Sequence, residues 1–138
     1  MMRSTPDKFI KLPESELRLM QAIWTLHAAG EADITASALM AADEGLARLK
    51  LTTVLTLITR LAGRGFIAIE KRGRANCYTP LVSAEAYKTQ AAAEFIATVY
   101  ESKPVSLLSA LVGSGMLTEE ELEELRAVLT QEAKGDRS

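Results

Sequence analysis

The stretch KLTTVLTLITRLAGRGFIAIEKRGRANCYTP, residues 50–80, decides the fold of this 138-residue chain. At about 100° per residue, Val54, Leu57, Ile58 and Leu61 share one side of a helix. Thr52, Thr56 and Thr59 fall on the opposite side, with Arg60 on the flank. The spacing predicts a helix over 50–63, ended at Gly65. Behind it Phe66 to Lys71 alternates weakly, Arg72-Gly73-Arg74 makes a turn, and Ala75 to Thr79 reads as a return strand. A helix that buries one face, offers hydroxyls on the other and runs into a basic hairpin is the layout of a winged helix-turn-helix.

Upstream, Pro13 suits a first helical position, and Glu14 and Glu16 follow where acids favour the helix dipole. The helix predicted over 13–27 is apolar around more than half its circumference, through Leu17, Met20 and Trp24 and through Leu19, Ile23 and Leu26. It should be sandwiched between other elements. Ala28-Ala29-Gly30 ends it. A second helix, from Thr35 as cap to Ala42, buries Ala38 and Leu39, with Ile34 stapling its entry. Residues 43–49, DEGLARL, read as a short connection with Gly45 for a turn, which completes a helix-turn-helix unit. The first ten or so residues read as a loose arm.

Downstream, Pro80 stops the hairpin and Ser83 caps a new helix, so the domains divide as 1–82 and 83–138. The helix over 84–100 carries Tyr87, Ala91, Phe95 and Val99 at i, i+4 spacing, a stripe that wraps slowly around it. Lys103-Pro104 breaks it. A short apolar helix over 105–112 holds Leu107, Leu108 and Leu111. Thr118 with Glu121 forms a capping box for a last helix whose stripe is Leu122, Leu125 and Leu129. Three short helices cannot enclose a sizeable core. Their apolar residues need a second copy of the chain or the N-terminal domain, and pairing through residues 84–132 is the preferred reading.

Net charge is −2, so the chain is no bulk polycation. Residues 48–82 nevertheless hold Arg48, Lys50, Arg60, Arg64, Lys71, Arg72 and Arg74 against Glu70 alone, a net of +6. Residues 83–138 hold five basic and ten acidic side chains, a net of −5. A local positive surface beside an acidic region suits a reader of double-stranded DNA with a separate domain for protein contact. No apolar run approaches the roughly 18–20 residues that span a bilayer, and MMRSTPDKFIKLPESE lacks the apolar core of a secretion signal. The single cysteine, Cys77, excludes an intrachain disulfide and fits a reducing, cytoplasmic setting. His27 and Cys77 make no nucleophile–base pair, and no glycine-rich phosphate loop occurs, so catalysis is not expected. They are also too few to hold a soft metal, and no cofactor is expected.

Taken together, several strings resemble the BlaI/MecI family of penicillinase and methicillin-resistance repressors, which includes copper-responsive relatives. They are Leu12-x-Glu14-x-Glu16 with Trp24, Thr53-Val54-x-Thr56-Leu57-Ile58-Thr59-Arg60-Leu61, Gly65-Phe66, Gly73-Arg74, Tyr78-x-Pro80-Leu81-Val82, and Leu117-Thr118-x-Glu120-Glu121-x-Glu123-Glu124-Leu125. The likeness runs from about Leu12 to Leu129. It implies a mainly α winged helix-turn-helix with a small β-hairpin wing, followed by a C-terminal helical dimerisation domain. It further implies a homodimer that occupies an inverted-repeat operator and blocks transcription. Thr52, Thr53, Thr56 and Arg60 sit where the family's recognition helix faces DNA. Lys50 replaces a small capping residue, and Thr52 and Leu55 replace residues that are basic in some members, so the family's operator sequence does not carry over. The paired Cys-x-Cys clusters of the copper-responsive members are absent. In the antibiotic-responsive members a membrane-bound protease cuts within the short C-terminal helix; the matching place is Ala110-Leu111, without the Asn-Phe pair of some members.

The expected DNA contacts are therefore Lys50, Thr52, Thr53, Thr56 and Arg60 from the helix, with Lys71, Arg72 and Arg74 from the wing. Threonine hydroxyls can donate to phosphates or base acceptors, and their methyls, like Leu55, can touch thymine. Arg60 has two readings, a phosphate contact or an ion pair with Glu70. Phe95, Val99, Leu107, Leu108, Leu111, Leu122, Leu125 and Leu129 are the expected dimer contacts. The competing reading is a winged-helix module that binds protein through its leucine-rich C-terminal helices without sequence-specific DNA binding.

Overall fold

The computed structural model describes residues 9–135; the expected N-terminal arm falls largely outside them. The elements in chain order are α1 (Glu14–Ala28), α2 (Ala36–Ala42), α3 (Glu44–Ala47), α4 (Leu51–Gly63), β1 (Ile67–Arg72), β2 (Ala75–Pro80), α5 (Ala84–Val99), α6 (Pro104–Gly113) and α7 (Glu119–Gly135). The chain divides into two compact units, one reaching Ala92 and the other beginning at Ala93.

In the first unit α4 buries Val54, Leu57, Ile58 and Leu61, and α1 buries Leu19, Met20 and Ile23 in the same core. As its two-sided apolarity requires, α1 packs against α4 and also against α2 and β2. Both long helices end in the same way. Gly65 is left-handed (φ 81°), the Phe66 N–H donates to the Leu61 carbonyl (3.0 Å) and the Gly65 N–H to that of Ala62 (3.1 Å). Phe66 and Leu61, which this motif brings together, are both buried. After α1, Gly30 (φ 84°) makes the equivalent pair of bonds with Glu31.

The hairpin pairs Ile67 with Pro80 through Arg72 with Ala75. Arg72 therefore belongs to the ladder, and the turn is Gly73-Arg74 alone. Gly73 has φ 64°, as a type II′ turn requires at its first central position. Main chain ties the wing to the body: the Tyr78 N–H donates to the Ile34 carbonyl (2.9 Å) and the Leu81 N–H to that of Phe66 (2.8 Å). Beyond the hairpin, the indole N–H of Trp24 donates to the Val82 carbonyl (2.8 Å).

The sequence reading differs from the structure elsewhere as well. DEGLARL holds a short helix, α3, because the Asp43 carboxylate caps it by accepting from the Leu46 N–H (3.0 Å). Gly45 is helical and makes no turn; the Arg18 side chain, paired with Asp43 at 3.2 Å, lies over it where a β-carbon would sit. The compact unit also continues past Ser83 into α5. Tyr87 is buried among Phe9, Trp24 and Phe66, with ring centroids 5.5–6.0 Å away, and its hydroxyl accepts from the Leu12 N–H (2.9 Å). A tyrosine this well enclosed binds the start of α5 to the N-terminal core.

In the second unit α6 starts with Pro104 at its first position. Thr118 and Glu121 close the reciprocal box that starts α7, at 3.0 and 3.1 Å. No side chain from Ala93 to Lys134 is fully buried.

Gly65 and Gly63 make a controlled pair. Gly65→Ala forces a β-carbon into the left-handed region and is expected to destabilise the protein by about 1–2 kcal/mol. Gly63→Ala, in open space at the end of α4, should be neutral or stabilising by up to about 1 kcal/mol. Urea unfolding of both variants checks the contrast.

Candidate nucleic-acid interface

Burying the stripe of α4 turns its other side outward. Thr52, Thr53, Thr56, Thr59 and Arg60 are exposed, as are Leu51 and Leu55. Two of the hydroxyls are already in use. Thr56 Oγ1 donates to the Thr52 carbonyl and Thr59 Oγ1 to that of Leu55, both at 3.0 Å. Such i−4 bonds consume the hydroxyl proton, so these two threonines present lone pairs and methyl groups instead of donors. This differs from the donor role that the sequence suggests.

The helix begins at Lys50 without a side-chain cap, and no acid occupies its first turn. The other helix-turn-helix starts differ: Thr35 caps α2 by accepting from the Ala38 N–H (3.1 Å), and Asp43 caps α3. The start of α4 therefore keeps its partial positive charge, next to an exposed lysine.

The seven cations of residues 48–82 divide into two groups. Arg64 lies 3.2 Å from Oε1 of Glu16, whose side chain is only 3% exposed. The contact lacks hydrogen-bond alignment, so it neutralises charge more than it satisfies the oxygen. Arg48 meets Glu44 at 3.6 Å, a solvent-exposed pair of little strength. Arg72 is held most firmly. Its guanidinium donates to Glu70 (2.8 Å), to Asp33 (3.0 Å) and to the Ala32 carbonyl (3.0 Å). These bonds, that to Glu70 foremost and then that to Asp33, raise its pKa above the ordinary arginine value. The guanidinium of Arg72, an expected phosphate contact, is thus hydrogen-bonded to the loop before α2. The acid partner considered for Arg60 is also resolved, since Glu70 pairs with Arg72.

Lys50, Arg60, Lys71 and Arg74 remain, exposed and unpaired with any carboxylate among the described residues. All four were expected at the site. The clamp partner Asp33 was not, because it lies 39 positions from Arg72. Glu70, two residues away on the same strand, was the one legible signal. Among the described residues no cluster of three His, Cys, Asp or Glu side chains is placed to hold a metal ion. No helix there is long and apolar enough to cross a membrane. Cys77 is buried in β2, with its sulfur 3.9 Å from Asp33.

In the second unit Leu107, Leu108, Leu111, Leu122 and Leu125 are half-buried. Phe95, Val99, Val105, Val112, Met116, Val128 and Leu129 are exposed. An open groove between α6 and α7 is lined by Leu108, Val112, Leu125 and Leu129.

A helix-turn-helix whose second helix turns threonines and unpaired cations outward, followed by a cationic two-stranded wing, defines a winged-helix DNA-binding protein. More particularly, the chain belongs to the penicillinase repressor family, which it matches over residues 12–131. It is a transcriptional repressor and not an enzyme. It is 30% identical over 125 residues to the methicillin resistance regulatory protein MecI of Staphylococcus aureus strain N315 and to that of Mammaliicoccus sciuri. Each alignment covers 91% of this chain and 98% of the relative. Among solved structures, a MarR family protein from Bacillus stearothermophilus is similar at TM-score 0.43 and 17% identity, over 94% of this chain and 78% of that one. MepR, a transcription regulator of the Staphylococcus aureus multidrug efflux pump MepA, is similar at TM-score 0.40 and 19% identity, over 86% and 77%.

Asp33→Asn tests the Arg72 clamp by the sign of its effect. It is expected to weaken duplex binding by less than about fivefold, as loss of an exposed ion pair would, and to leave the salt dependence unchanged. Tighter binding with a steeper salt dependence would mean that Asp33 holds Arg72 back from a phosphate.

Proposed function

We propose that the protein represses transcription as a homodimer on an inverted-repeat operator, with α4 in the major groove and the wing on the backbone or minor groove. The observation that carries this reading is the set Lys50, Arg60, Lys71 and Arg74, left without acid partners around a helix face that has no acidic residue. Lys50 and the uncapped start of α4 suit a phosphate, as do Lys71 and Arg74 on the wing. Thr52, Thr53 and Thr56 lie against the bases. Arg72 sets the wing's angle from behind.

The second unit supports pairing. Its half-buried and exposed leucines, valines and Phe95 enclose no core of their own, and a twin surface would bury them. Two recognition helices about one helical turn of DNA apart would then read a two-fold symmetric site. Release by proteolysis at Ala110-Leu111 suits this arrangement, because a cut there detaches α7 from the rest of the chain. That bond lies inside α6, with Ala110 exposed and Leu111 half-buried. A protease must unwind the helix to engage it.

Footprinting on the DNA upstream of the protein's own gene tests the central claim. A protected region with two-fold symmetry is expected; absence of protection at low salt refutes it. Each phosphate contact contributes about 0.9 to the slope of log K against log salt. Lys71→Ala and Arg74→Ala should therefore each lower it by about 2 in a dimer while weakening all sequences alike. Leu125→Asp should convert a dimer to monomer in sedimentation and reduce operator affinity by more than tenfold, since one half-site is then read alone.

A further inference from the structure

We propose that Leu51 and Leu55 form an apolar ridge on α4 that reads the 5-methyl groups of thymines in the operator. The inference rests on the DNA-binding role of α4 and goes on to say which chemistry that helix recognises. Leu51 is 53% exposed and Leu55 39% exposed. They are one turn apart, so they stand as neighbours at the edge of the threonine face. Neither belongs to the buried stripe of the helix, and water meets both in the free protein.

The surroundings identify the occupant. No acid lies on α4, while Lys50 precedes its first turn and Arg60 stands on its exposed side, so a polyanion is favoured and an acidic or neutral protein surface is not. Thr56 and Thr59 have given their protons to the helix backbone. These two threonines therefore offer methyl groups and lone pairs, and Leu51 and Leu55 add apolar surface, while the donors of this side are Lys50, Arg60 and the hydroxyls of Thr52 and Thr53. The feature of the groove that an apolar group can read is the thymine methyl. The remaining lone pairs of Thr56 and Thr59 suit the amino groups of adenine or cytosine, and adenine is the base paired with that thymine. Leucines outside and acceptors beside them thus favour A·T pairs under the first two turns of α4.

Deoxyuridine removes the methyl and leaves the pairing edge and the O4 acceptor in place. The test takes the duplex that wild-type protein protects in footprinting, or the full upstream fragment if protection is diffuse. Each thymine is replaced singly by deoxyuridine, and wild type, Leu51→Ala and Leu55→Ala are titrated against the set. Both leucines are exposed, and melting curves check that the variants keep the wild-type fold. In each half-site at least one replacement should weaken wild-type binding about threefold to fourfold, the loss of one buried methyl contact. The same replacement should cost the matching leucine variant nothing. Penalties of equal size in wild type and both variants overturn the proposal, as does the lack of any penalty while specific binding persists. Failure of wild type to bind any duplex overturns it together with the DNA-binding reading, and the unmodified control distinguishes the two failures.

Discussion

Burial of Val54, Leu57, Ile58 and Leu61 against α1 governs what the first unit presents on α4 and the wing. Each such side chain is worth about 1.5–3 kcal/mol when withdrawn from water. Rolling α4 over would forfeit roughly 6–12 kcal/mol, comparable with the whole stability of a small domain. The threonines, Arg60 and the two exposed leucines therefore face outward because the opposite side cannot. Gly65 then fixes where the helix stops, and Phe66, delivered into the core by the same motif, fixes where the wing begins. Recognition surface and hydrophobic core are two sides of one helix.

Electrostatics works by subtraction. The basic stretch carries seven cations, and Glu16, Glu44, Asp33 and Glu70 pair with three of them. What they leave behind is distributed usefully, at the start of α4, on its flank and at the wing tip. The paired arginines do mechanical work. Arg64 links the end of α4 to Glu16 of α1, and Arg72 links the wing to the loop before α2.

Much of this is legible in the sequence. Periodicity located α1, α4 and α7, glycines marked the ends of two helices and the hairpin turn, and Thr118 with Glu121 announced a helix start. These signals are local, decided by residues within four or five positions of one another. The misreadings have the opposite character. The clamp on Arg72 is not legible because its partner Asp33 is distant in sequence. Gly45 reads as a turn residue because nothing local reveals an arginine lying over it. The first unit's reach into α5 depends on Tyr87 finding Phe9, Trp24 and Phe66. Three-dimensional encounters of that kind leave no mark on spacing.

The bond from the Tyr78 amide to the Ile34 carbonyl links backbone to backbone. It is indifferent to which side chains stand at either place, provided residue 78 is not proline. Mutational drift can accordingly rewrite the outer surface of the ribbon without casting the ribbon adrift. A lineage descended from this chain is thus free to change what its wing touches long before it must change how the wing is carried.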